Sequence, residues 1–270
     1  MARVTFREAA RRRILWIALL AAAGFLALFA AGLHAMLSNM RQRQGLIQQR
    51  EAAAMMCTMA LYAGSMLTSL MAALTSCDTL SGELASGTIH AIATKPVNRW
   101  PLVLGKWTGF VAMLTLYVLL LEGGTITIAS FDTGRQLPHT AAALALIWLQ
   151  AMLLLSITMA ASTRFSALTS GAISLGLYGL AFAGGWVEQY GALQHVRTCV
   201  NLGILSSLIM PSDALWRRAA VSLQPPLLSS AGVGPFASTL MPSNAMIIYA
   251  VLYASVALSL AMLLFERRDL

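Results

Sequence analysis

Six long apolar runs limit what this chain can become. Residues 14–37, 52–75, 102–130, 140–161, 167–187 and 246–265 are almost free of charge. Each is long enough to cross a bilayer, since a helix rises about 1.5 Å per residue and a hydrocarbon core of about 30 Å needs about 20 residues. Lipid offers no partner to a bare backbone N–H or C=O, so a span must be a helix or a strand of a closed barrel. Runs this continuous exceed the roughly 10-residue alternating segments of barrels. The expected fold is therefore all-α, a polytopic membrane protein with six transmembrane helices in a single transmembrane domain over 1–270. The first run follows a basic stretch, as a secretory signal would. Its 24 residues exceed a signal's apolar region of about 7–15, which predicts a retained first helix.

Composition agrees: 58% of the residues are hydrophobic and 10% charged, against about 25% charged in soluble domains. The net charge of +8 does not point to nucleic acid, because 16 of the 18 basic residues are arginine and most flank the apolar runs. Anionic lipid headgroups and membrane orientation explain them, so the lipid bilayer is the expected partner. With the N-terminus inside, eleven Lys and Arg fall in the cytoplasmic parts and seven in the outer parts, which are longer. Basic flanks are retained inside, which predicts cytoplasmic termini, a cytoplasmic loop 78–106 and an outer region 188–245. Cys57, Cys77 and Cys199 form neither a disulfide framework nor a metal spacing.

Residues 2–13, ARVTFREAARRR, place Ala2, Phe6, Ala9 and Ala10 near one helical face and Arg3, Arg7 and Arg11 on another. That suits an N-terminal interfacial helix, although a plain basic flank that fixes topology fits equally well. In the outer region VNLGILSSLIM has 11 residues, too few to span, and is expected to form a re-entrant or surface-packed helix. Pro211 should end it. Ser212 and Asp213 then suit the N-cap and positive dipole end of a second helix, and 229–244 reads as irregular connection.

The polar stretch SGELASGTIHAIATKPVNRWPLVLGK, residues 81–106, separates the second and third runs. Ile89, Ile92 and Ala93 stand at helical spacing, so 88–95 would form two turns with one apolar face. Pro96 stops that helix, and Asn98 can cap the next. Two turns do not hold in water unaided, so such a cytoplasmic helix needs something to dock into.

Glu83, Gly87, Thr88, Ile89, Pro96, Val97, Arg99, Leu104, Gly105 and Lys106, in that order, resemble the first cytoplasmic loop of ABC-2 type permeases, the membrane subunits of a class of ATP-binding-cassette transporters. FREAARRRILW, PSDALWRRA and FERRDL also resemble that family. Asn98 stands where serine is more usual, and His90, Ala91 and Ala93 thin the apolar face. The resemblance implies a coupling helix seated in an ATPase subunit, with Glu83, Gly87, Thr88, Ile89, Ile92, Pro96 and Arg99 in the coupling contact. It also implies a separate ABC ATPase that binds ATP and Mg, a second permease copy or related permease, export as the direction of transport, and residence in the inner (plasma) membrane. This chain carries no ATPase motif and is not expected to be an enzyme or to bind a cofactor. Its Gly105-Lys106 pair is followed by Trp107 and lacks the earlier glycine of a Walker A loop.

Glu122, followed by Gly123 and Gly124, is a candidate for a substrate or proton pathway, since an intramembrane carboxylate raises that hypothesis. It lies roughly 24 Å along the helix from Lys106, which also allows a place near the outer interface. His34 is a weaker case. The methionines suit packing rather than copper, and small residues at 21–24 and 171–179 suit close helix contacts. HExxH, GxSG and paired intramembrane aspartates are absent from the sequence. The alternative function is an ion-coupled secondary transporter using Glu122.

Overall fold

The structure is a computed structural model, and it describes residues 13–41, 45–79, 100–134, 139–223 and 242–267. The described residues form eight helices and no strand: α1 (Arg13–Arg41), α2 (Leu46–Ser76), α3 (Trp100–Thr133), α4 (Thr140–Ser162), α5 (Ala167–Leu193), α6 (Arg197–Ile209), α7 (Ser212–Leu223) and α8 (Asn244–Glu266). Six of them, α1 to α5 and α8, are long and apolar enough to cross a membrane. The six apolar runs thus become the six candidate spans, with helix ends extended by a few residues into polar flanks. The expected interfacial helix at 2–13, except for Arg13, which opens α1, and the coupling helix at 88–95 with the Asn98 cap fall outside the described residues.

Helix α4 is the hub, packed against α2, α3, α5, α7 and α8. Its sequence explains this: from Ala143 to Ser162 almost every position is apolar, small or hydroxylated, so no face demands water. The bundle holds two apolar clusters. One contains Ala22, Met71, Val103, Phe110, Leu114, Leu154, Met159 and Phe265. The other contains Leu33, Leu37, Ala53, Leu61, Ile126, Ile147, Leu215 and Trp216. Along α2, α3 and α4 the changeover between clusters falls between Leu61 and Met71, between Leu121 and Ile126, and between Ile147 and Ala151.

Helix α5 runs on to Leu193, so Glu188, the first residue of the expected outer region, lies in its last turns. Helices α6 and α7 meet at 105°. Met210 is extended (φ −144°, ψ 104°) just before Pro211, as the proline ring requires of its predecessor. The short apolar helix ending at Pro211 and the second helix after it are therefore present as a bent pair, α6 laid against α5 and α7 chiefly against α4. Ser212 is the first helical residue and not a cap, and its buried Oγ has no hydrogen-bond partner.

Of the glycines expected to pack closely at 171–179, Gly171 is buried with a Cβ position 3.7 Å from the Cys77 Cβ, while the tightest approaches lie elsewhere. Gly176 and Gly179 face open space, whereas a Cβ at Gly191 would come within 2.6 Å of the Cys199 Cβ, and one at Gly203 within 2.8 Å of the Gly184 carbonyl. These glycines let α5 and α6 touch backbone to backbone, the usual role of small residues between membrane helices.

Candidate functional site

Glu83, Gly87, Thr88, Ile89, Ile92, Pro96 and Arg99 lie outside the described residues, but the two stems that carry their loop are described. On the incoming side α2 ends at Ser76, and the chain turns through Cys77, Asp78 and Thr79. On the outgoing side α3 begins at Trp100. Lys106, one and a half turns into α3, is buried, and its Nζ donates to the Thr79 carbonyl at 3.0 Å. Carbonyls just past a helix C-terminus lack intrahelical donors and sit at the negative end of the dipole, so an ammonium is a favourable partner there. Thr79 in turn donates its Oγ1 to the Thr75 carbonyl at 3.2 Å. The stems are tied to one another across the base of the loop.

Glu122 lies at the changeover between the two apolar clusters and is fully buried. Thr68 Oγ1 donates to its Oε1 at 3.5 Å, while Oε2 has no hydrogen-bond partner. The carboxylate rests on Gly64 of α2, where a Cβ would lie 2.7 Å from Oε1. Gln150 of α4 sits at the same level and donates Nε2 to Ser69 Oγ at 3.1 Å. Consecutive residues of α2, Thr68 and Ser69, thus serve a polar side chain on each of two neighbouring spans. Of the two glycines after Glu122, Gly124 packs against the Leu26 side chain and Gly123 faces open space. His34 is exposed and lies 3.9 Å from Asp132. No group of three or more His, Cys, Asp or Glu able to hold a metal occurs among the described residues.

A third cluster joins α5 to the bent pair. Arg217 places Nη2 2.7 Å from Glu188 Oε2 and Nε 2.9 Å from Asp213 Oδ2, with all three side chains buried. Nη2 also reaches Ser207 Oγ at 3.4 Å. Asp213 and Arg217 are one helical turn apart, which puts them on one face of α7. Gly185 of α5 leaves the space that the Asp213 carboxylate occupies. Burial pushes the Asp213 carboxyl, which lies outside the six spans, up to about 6; Arg217 draws it down and Glu188 pushes it up. Around the cluster, Tyr62 stacks near Phe182 at 5.9 Å and tilts against Trp216 at 5.0 Å between ring centres. The i, i+4 spacing of Asp213 and Arg217 was legible in SDALWRR. Their partner Glu188, 29 positions from Arg217, gives no local signal.

The family described as ABC-2 family transporter protein matches residues 1–270. The chain belongs to the ABC-2 transporter family. Among curated proteins none matches it. ABC-2 family membership makes the chain a membrane component of an ABC transporter, a permease. The expected family is thereby confirmed.

Proposed function

We propose that this chain is the transmembrane subunit of an ABC exporter, driven by ATP hydrolysis in a separate nucleotide-binding subunit that engages the loop 78–106. The termini and that loop are cytoplasmic in this reading, the region 188–245 is external, and a second permease copy or related permease completes the pathway in the inner membrane. The observation that supports it most directly is the Lys106 to Thr79 bond at 3.0 Å. A push on an untied loop would be absorbed by the loop itself. A push on a loop whose stems are joined moves α2 and α3 together, and α3 carries Glu122 while α2 carries its partners Gly64 and Thr68. The test is purification of the native complex through a tag on this chain, followed by identification of what comes with it. An ATPase with a Walker A loop recovered in fixed ratio is expected; a complex that transports without one contradicts the proposal.

A second reading, an ion-coupled carrier using Glu122, draws on the full burial of that carboxylate and its unpartnered Oε2. The two differ in what drives transport. Activity in sealed vesicles that follows an ion gradient and ignores ATP would favour the carrier.

A further inference from the structure

Where α7 meets the bundle, a cavity of about 10 Å³ is lined by Tyr62 of α2, Gln150 of α4, Tyr178 and Phe182 of α5, and Ser212, Asp213 and Trp216 of α7. That volume holds about one water or one bare ion of similar size. Two buried oxygens of its lining residues lack a hydrogen-bond partner, Gln150 Oε1 and Ser212 Oγ, and beside them Asp213 Oδ2 is met on one side only, by Arg217 Nε at 2.9 Å. Gln150 and Ser212 are each 1% exposed and Asp213 is 9% exposed. Buried polar groups are nearly always satisfied, so two partnerless oxygens beside a carboxylate on one small cavity call for an occupant that binds oxygen.

Charge narrows the choice. Glu188 and Asp213 supply two carboxylates and Arg217 one guanidinium, so the ionised cluster carries one uncompensated negative charge. Arg218, the next basic residue on α7, turns away to the Pro242 carbonyl and Asn244. A buried net charge is costly unless it is paired. One monovalent cation makes the cluster neutral; a divalent ion would leave an excess positive charge beside Arg217. A carboxylate, an amide carbonyl and a hydroxyl are the oxygen donors that hard cations prefer. We propose that Gln150, Ser212 and Asp213 form a site for one small alkali cation of sodium size, which links the hub helix α4 to the bent pair α6–α7. The site goes beyond the transport reading and does not depend on it.

The test uses the full-length protein purified in nanodiscs at pH 8, about two units above the Asp213 value, so that the carboxylate is ionised. Trp216 lines the cavity, and its fluorescence is followed as sodium chloride replaces choline chloride at constant ionic strength; choline is too large to enter. A saturable change is expected in the parent protein. Asp213→Asn should weaken it about tenfold or more, and Gln150→Leu should weaken it while keeping both carboxylates and the guanidinium. If Asp213→Asn does not fold, Gln150→Leu together with Ser212→Ala decides the matter. No saturable response in the parent overturns the site, as does a response unchanged in these variants. A signal that follows pH and ignores sodium overturns it in favour of a proton, and one that follows neither leaves a bound water as the occupant.

Discussion

Lys106 on α3 donates its ammonium to the carbonyl of Thr79 beyond the end of α2, a 3.0 Å bond across 27 positions of sequence. It closes the base of the loop that the ABC-2 resemblance assigns to the ATPase. A charged hydrogen bond of this kind contributes about 1.5–3 kcal/mol. Lys106→Met keeps the apolar stem of the side chain and removes the donor. The variant is expected to assemble and bind its ATPase while stimulating hydrolysis less than the parent. Full stimulation by Lys106→Met would show that the tie carries no force.

Glu122 and Gly64 are fitted to each other, with no room for a Cβ between them. Gly64→Ala should therefore destabilise the bundle by about 1–3 kcal/mol through overpacking. Glu122→Gln preserves the shape, so it should leave assembly intact and reduce transport if the carboxylate carries protons or contacts substrate. Denaturation of the first variant and vesicle transport by the second are the measurements. Unchanged transport by Glu122→Gln assigns the residue to packing.

Arg217 and its neighbour Arg218 are a built-in comparison. Arg217 is buried between two carboxylates, while Arg218 bonds Pro242 and Asn244 nearer the surface. Removing one member of a buried ion pair costs about 3–5 kcal/mol because the remaining charge is stranded. Surface substitutions usually change stability by about 0.5 kcal/mol or less. Arg217→Ala should lower the unfolding temperature far more than Arg218→Ala, and equal effects would contradict the buried cluster.

Orientation can be read by labelling. In a background with Cys57, Cys77 and Cys199 replaced, a single cysteine at Ser230 should react with an impermeant reagent in intact cells, and one at Ser81 should not. Labelling at Ser81 would reverse the proposed topology.

The six spans were legible because lipid imposes a length and an internal hydrogen-bond requirement that appear directly in composition. The break at Pro211 was legible because proline restricts its predecessor. The partner of Glu188, by contrast, was not legible: its charge is met by Arg217 from another helix, 29 positions away. The glycine contacts were legible in part, at Gly171 beside Cys77. A small residue announces that close approach is possible, but only the packing of α5 on α6 selects Gly191 and Gly203 over Gly176 and Gly179. Glu122 was conspicuous as the charge in an apolar run, whereas its seat, Gly64, sits 58 positions earlier in a helix that reads as an ordinary span.

The most direct test of the central claim concerns Ile89 and Ile92, the apolar face predicted for the segment 88–95. Each would contribute about 1.5–3 kcal/mol if fully buried in the ATPase. Glu83→Ala and Arg99→Ala should weaken coupling more mildly, as partly solvated contacts do. The decisive measurement is pull-down of the ATPase, together with ATP hydrolysis in the reconstituted complex, for the double variant Ile89→Asp, Ile92→Asp. The proposal predicts a permease that inserts normally but no longer retains its ATPase. A double variant that binds the ATPase and couples hydrolysis like the parent would contradict it.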